Sequence, residues 1–200
     1  MKTQPGKAFT PIAPLQAVTW DAATNRIACS KTGTSIEVAD GRGTNVLNRS
    51  ENEVAARLVT HDDGIVLVRA KDGAFESNDF LADLFDGHRL LTGDSVTRID
   101  LADVTTSPVN RASARYGVDS AEGAPQRFHL EYAVAQRNGA SCRIAILGAE
   151  NPKPNPIFRV MATLQDSRWL DAPAPAADED HQLLRLMLNV GAYTLKSIPH

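Results

Sequence analysis

Residues 131–147 read EYAVAQRNGASCRIAIL, two runs of strand-forming residues around the turn dipeptide Asn138-Gly139. The register of this hairpin decides which side chains face the core, because a slip of one residue moves all of them to the opposite face. Phe128, Leu130, Tyr132 and Val134 alternate with His129, Glu131, Ala133 and Ala135, and the larger apolar residues of the return strand are Cys142, Ile144 and Ile146. A two-residue Asn-Gly turn pairs Val134 with Arg143 and Tyr132 with Ala145, which splits the large apolar residues between two faces. A three-residue loop, Arg137-Asn138-Gly139 with Gly139 left-handed, pairs Val134 with Cys142, Tyr132 with Ile144 and Leu130 with Ile146. A sheet with one buried face favours the second register. It predicts a buried Cys142, whose thiol is inert because apolar burial raises its pKa, and an outer face carrying His129, Glu131 and Arg143.

Around this hairpin the chain alternates short β-rich runs with turn clusters. Arg26 to Cys29, Ser35 to Ala39, Val54 to Thr60 and Gly64 to Ala70 are separated by Lys31-Thr32-Gly33, Asp40 to Gly43 and Asp62 to Gly64, the punctuation of an antiparallel meander. The Ala and Glu content of EVAARLV, residues 53–59, also permits a helical turn. ESNDFLADLFDG changes period: Phe80, Leu81, Leu84 and Phe85 form a helical stripe, with Ser77 or Asn78 as cap and Gly87 as the stop. Further strands are predicted over Ser95 to Leu101 and Arg111 to Val118, and a second helix from Asn155-Pro156 with Ile157, Phe158, Met161 and Leu164 inward. The organisation is an irregular arm over 1–18, one α+β domain over 19–171, a Pro/Ala/acidic linker over 172–180 and an apolar segment over 181–200.

Two hundred residues are enough for a core without staples. Twenty-one basic against 24 acidic residues, net −3, give no electrostatic case for nucleic acid. No run approaches the roughly 18 apolar residues of a membrane span. The N-terminal residues lack the apolar core of a secretory signal, so the chain as given is expected to be cytoplasmic, or periplasmic if it is a processed fragment. Cys29 and Cys142 lack CxxC spacing, which argues against zinc and leaves one long-range bridge open in an oxidising compartment.

Motifs for chemistry are weak. The histidines at 61, 88, 129, 181 and 200 share no metal-ligand spacing. Ser30 to Thr34, SKTGT, is similar to the phosphorylation motif of P-type ATPases but has Ser30 in place of the aspartyl nucleophile, and is more simply a turn. Glu76, Asp79 and Asp83 suit the first turn of the helix as capping and solubilising acids. No catalytic, cofactor or metal residue is predicted. The rival class is a small hydrolase or toxin-like enzyme drawing on His61, Asp62, Glu76, His88 and Asp100, and a third is a lipid or small-ligand carrier with a cavity between sheet and helices.

RASARYGV (111–118), RFHLEYAVAQRNGASCRIAILGAENP (127–152) and PIFRVMATLQDSRWL (156–170) together resemble Mog1/PsbP-like domains, and within them the non-catalytic C-terminal region of bacterial M48-type metalloproteases. Asp166 to Trp169, Leu184 to Leu188 and Gly191 to Thr194 are the counterparts of that region's motifs, without its Phe in the Ser-Arg step and without the HExxH of the peptidase. The resemblance implies an antiparallel β-sheet with a few helices packed on one face and a non-enzymatic accessory or protein-binding role, with no catalytic residue carried over. A protein partner is therefore expected, and Leu184, Leu186, Leu188, Tyr193, His129, Glu131 and Arg143 are the candidate partner-binding residues.

Overall fold

The structure, a computed structural model, describes residues 15–38, 44–58, 64–107, 111–119, 123, 125–150 and 193–196. It begins with a small antiparallel sheet of β1 (Val18–Asp21), β2 (Arg26–Cys29) and β3 (Thr34–Glu37). Asp21 builds the first turn, its carboxylate accepting from the Ala23 N–H at 2.9 Å and the Thr24 hydroxyl at 2.7 Å. Residues 30–33 form the second turn, as expected, with Gly33 left-handed at φ 69° and its N–H donating to the Cys29 carbonyl.

The second sheet has eight strands. They are β4 (Thr44–Ser50), β5 (Glu53–Leu58), β6 (Gly64–Asp72), β7 (Arg98–Ser107), β8 (Arg111–Val118), β9 (Gln126–Arg137), β10 (Ala140–Ala149) and β11 (Tyr193–Lys196), in the order β11-β7-β8-β9-β10-β6-β5-β4. Two meanders thus meet where β10 pairs antiparallel with β6. Residues 53–58 are strand rather than helical turn because both sides are wanted in the core: Val54, Ala56 and Leu58 go to one face and Ala55 to the other. The fold is α+β with antiparallel sheets. One helix, α1 (Ser77–Thr92), is described, and the helix predicted from Asn155 lies outside the described residues, as do the linker 172–180 and residues 181–192.

Helix α1 bridges β6 and β7 and lies on β6 and β10. Its start is a capping box one residue earlier than predicted: Glu76 is the N-cap, and the Asp79 carboxylate accepts from the Glu76 N–H at 2.8 Å. It also runs past Gly87. A Cβ at Gly87 would stand 2.7 Å from Leu147 Cδ1, so this glycine lets the helix settle onto β10 rather than ending it. Gly93, at φ 84° and with its N–H on the Arg89 carbonyl, makes the actual stop.

Both faces of the central strands are buried, and this corrects the hairpin register. On the side of α1 lie Leu67, Leu130, Tyr132, Val134, Ala145 and Leu147, around Phe80 and Leu84. On the other side Val66, Val68, Ala133, Ala135, Cys142, Ile144 and Ile146 meet Ile27, Cys29, Ile36 and Val38 of the small sheet. The turn has two residues, Asn138 (φ 54°) and Gly139 (φ 71°), and pairs Arg143 with Val134, Ile144 with Ala133 and Ala145 with Tyr132. With no solvent face to avoid, volume counts as well: Tyr132 stands opposite Ala145 and Ile144 opposite Ala133, so these two large side chains each have a small cross-strand neighbour, while Leu130 faces Leu147. Cys142 is buried as expected, but toward the small sheet and not beside Val134.

The two registers make different demands on Asn138, which must be left-handed only in the two-residue turn. Asn138→Val is expected to lower stability by about 1–2 kcal/mol, the cost of a β-branched residue in that conformation, and Asn138→Gly to be nearly neutral. Urea denaturation of the two variants measures this, and equal stability would return the hairpin to the three-residue loop.

Candidate functional site

Phe80, Asp83, Leu84, Gly87, His88 and Leu91 form the buried stripe of α1, so two of its six members carry ionisable groups. Asp83 is the centre of the first cluster. Its Oδ2 accepts from Arg143 Nε at 2.6 Å and from the Tyr132 hydroxyl at 2.6 Å, and its Oδ1 from Arg143 Nη2 at 3.0 Å and Arg69 Nη1 at 3.1 Å. Arg69 reaches on to Glu53 at 2.9 Å and Asp86 at 2.6 Å, and Lys71 to Asp79 at 2.6 Å. Burial works against the charges of Arg69 and Arg143, but the surrounding carboxylates outweigh it and hold both pKa values above the ordinary guanidinium range. Every charge here has its counter-charge in contact, which makes the cluster a fastening between helix and sheet rather than a poised acid or base. Arg57 of β5 adds a second tie, donating to the Leu91 carbonyl at 2.7 Å near the helix end.

His88 occupies a second buried site, its Nδ1 3.1 Å from the Tyr116 hydroxyl and its ring edge-on to Phe128. Burial lowers the His88 pKa and raises that of Tyr116, so the imidazole is held neutral.

The side of the large sheet away from α1 divides into two halves. Over β5, β6 and β10 it is apolar and carries the small sheet; over β7, β8 and the first half of β9 it is charged. Asp100, Asp103, Arg115, Asp119 and Arg127 ring a concavity of about 380 Å³ there whose lining is otherwise largely apolar, with Tyr116, Val118 and Pro125. A bulge interrupts the β7–β8 register between Ala102 and Thr105, and Asp103 takes the left-handed conformation at φ 52°. Arg115 pairs with Glu150 at 3.4 Å and Asp103 at 3.6 Å. Farther along the same face, outside the concavity, Glu131 accepts from the Ser113 hydroxyl at 2.8 Å and lies 3.4 Å from Arg111; burial raises its pKa, with Ser113 and Arg111 opposing.

These positions separate the residues that the sequence grouped together. His129 and Glu131 lie on the charged half-face, His129 half-buried and Glu131 buried, whereas Arg143 points the other way, under α1. Asp83, read as a solubilising acid, is 1% exposed. Leu184, Leu186 and Leu188 fall outside the described residues, and Tyr193 opens β11, paired with Leu101. Of the hydrolase set, His61 and Asp62 are outside the described residues, Glu76 caps α1, His88 is in the core and Asp100 lies on the opposite face. Among the described residues no group of His, Cys, Asp and Glu has the arrangement of a metal site, and no helix is long and apolar enough to cross a membrane.

A third cluster was not foreseen as such. Cys29 and Cys142, both free and buried, share one apolar cluster near Thr32, whose hydroxyl lies 2.7 Å from that of Thr34. The Cys142 thiol draws the Cys29 pKa down to about 6, and burial pushes that of Cys142 well up.

Removing the Asp83 carboxylate strands Arg143 and Arg69 without their partner. Asp83→Ala is expected to cost about 3–5 kcal/mol by urea denaturation, and a loss under 1 kcal/mol would contradict a fastening role. For His88, the unfolded chain binds a proton below pH about 6.5 and the folded chain resists it, so stability is full above that pH and declines as pH falls below it. The urea midpoint should drop between pH 7.5 and 5.5, and His88→Phe should flatten that slope, leaving the parts contributed by His129, whose pKa burial also lowers, and by the Cys29 thiol, drawn down to about 6.

The chain matches no protein-family model and no curated protein. Among solved structures it has a likeness to CalU16 from Micromonospora echinospora, at 9% identity over 73% of this chain and 94% of that one, with a TM-score of 0.28, too low to carry a fold or an activity across.

Proposed function

We propose that this chain is a non-enzymatic accessory domain that binds a protein partner through the charged half-face of its large sheet. The observation that carries the reading is the change of character across one sheet face, apolar and covered over β5, β6 and β10 but charged and concave over β7–β9 among the described residues. Arg115 and Arg127 beside Asp100, Asp103 and Asp119 give the concavity both signs. That mixture suits a partner segment carrying both charges better than a polyanion. The internal pairing of the Asp83 cluster supports the same reading, since it leaves the buried ionisable groups engaged with each other. The Mog1/PsbP-like assignment, and with it descent from a protease accessory region, belongs to this proposal. It is supported by the sharply turned β9–β10 hairpin and by β11, which carries Tyr193 and Thr194 of the Gly191 to Thr194 counterpart.

A second reading, a carrier of a lipid or small ligand, is favoured by the size of the concavity, which lies within the usual range of roughly 300–1,000 Å³ for such sites. The double variant Arg115→Glu/Arg127→Glu separates the two. For the protein-binding reading it should abolish retention of the partner captured by the wild-type chain, with the melting temperature within about 2 °C of wild type, as expected for exposed charges. Unchanged capture would overturn the assignment of this face. A melting temperature raised by a metabolite mixture in the wild type but not in the variant would support the carrier instead.

A further inference from the structure

We propose that Cys29 and Cys142 are a redox pair that closes into an intramolecular disulfide, locking the three-stranded sheet onto β10. Two independent placements bring the thiols together. Cys29 ends β2, and the turn that follows it is held by Lys31, whose ammonium lies 2.8 Å from Asp72 at the end of β6. Two residues back along β6, Ala70 is paired with Cys142, so the same tie sets Cys29 over Cys142. Both side chains belong to one apolar cluster, at 1% and 0% exposure, and each thiol is near enough to act on the titration of the other.

The pair is chemically asymmetric. Cys29 has the company of a nucleophilic thiol: the neighbouring Cys142 thiol, the Thr32 hydroxyl and the main chain at Lys31 and Thr32 all favour its thiolate, against burial. Cys142 has the deeper and more apolar position. With a small disulfide such as oxidised glutathione as oxidant, the Cys29 thiolate attacks one of its sulfurs and expels a glutathione thiolate. Cys142 then gives up its proton and attacks Cys29 Sγ, expelling the second glutathione thiolate. The two protein thiols are oxidised to one disulfide, the oxidant is reduced to two thiols, and the two protons released end on those thiols.

Access comes from the layout of the fold. The small sheet is not continuous with the large one, and Ala17 and Val18 tie it to the Glu51 carbonyl at 2.7 and 3.2 Å. It can lift as a unit to admit the oxidant, in the manner of a local unfolding step. Once formed, the bridge closes the long loop between positions 29 and 142 and joins two layers otherwise held mainly by apolar contact.

The test uses the whole chain, both folded and refolding from urea, in a buffer of reduced and oxidised glutathione, read by mass spectrometry without reductant and by thermal melting. The expected product has lost two hydrogens, yields a peptide linking Cys29 to Cys142, and melts higher by on the order of 10 °C. Dithiothreitol should reverse both changes. Cys29→Ser and Cys142→Ser should each show neither the hydrogen loss nor the shift. Refolding to native protein with both thiols free in the oxidising buffer, a bridge found only between chains, or a bridged chain that melts below the reduced one would overturn the proposal.

Discussion

The central hairpin of β9 and β10 has no solvent side over most of its length, and the rest of the molecule is arranged to satisfy that constraint. Each face of these strands needs its own cover. Helix α1 supplies one and the small N-terminal sheet supplies the other, so three layers replace the two that a single amphipathic sheet would need. Close contact on the helix side depends on the missing side chain of Gly87, and the angle of the helix on Arg69, Arg143 and Arg57, which reach up from three adjacent strands. A buried salt bridge is weak evidence of net stability. Its contribution here is positional: a bidentate contact from Arg143 and a hydroxyl from Tyr132 fix Asp83 in one place, which an apolar contact would not do.

The same constraint explains the charged half-face. Where the small sheet stops, the alternation of β8 and β9 turns from small apolar residues to Arg111, Ser113, Arg115, Arg127 and His129. The sheet is therefore one continuous hydrogen-bonded object with two chemical regimes on one side. A bulge and a left-handed Asp103 mark β7 in the polar regime, where the backbone departs from the regular pleat beside the concavity.

Much of the strand layout was legible in the sequence, because turn residues bracket each strand and β-branched residues fill them. Strands β2, β3, β6 and β8 fall close to where the punctuation put them. The hairpin register was not legible from alternation alone. Alternation reports polarity, and in a strand buried on both sides the two faces differ in volume instead: Ala133 and Ala135 look like the weaker face of an amphipathic strand but are the small residues that admit Ile144 and Cys142. Asp83 and His88 gave a usable signal, since both sit at helical spacing within the stripe of Phe80, Leu84 and Leu91, where an acid meant for solvent has no place. Its partner Arg143 lies 60 residues away on another element, a distance that no local pattern spans. Whether Cys29 and Cys142 approach each other was left open by the sequence for the same reason, since they lie 113 positions apart in the chain.

The order of the layers along the chain carries a consequence for synthesis. The small sheet precedes the large one in the chain, with Ile27, Cys29, Ile36 and Val38 on its apolar side; β5 and β6 supply part of its cover soon after, but the part contributed by Cys142, Ile144 and Ile146 of β10 begins only at Ala140. Until then that side is covered only in part. The architecture commits the nascent chain to a long interval with a partly exposed apolar sheet, a state in which chaperone capture and misassembly compete with folding.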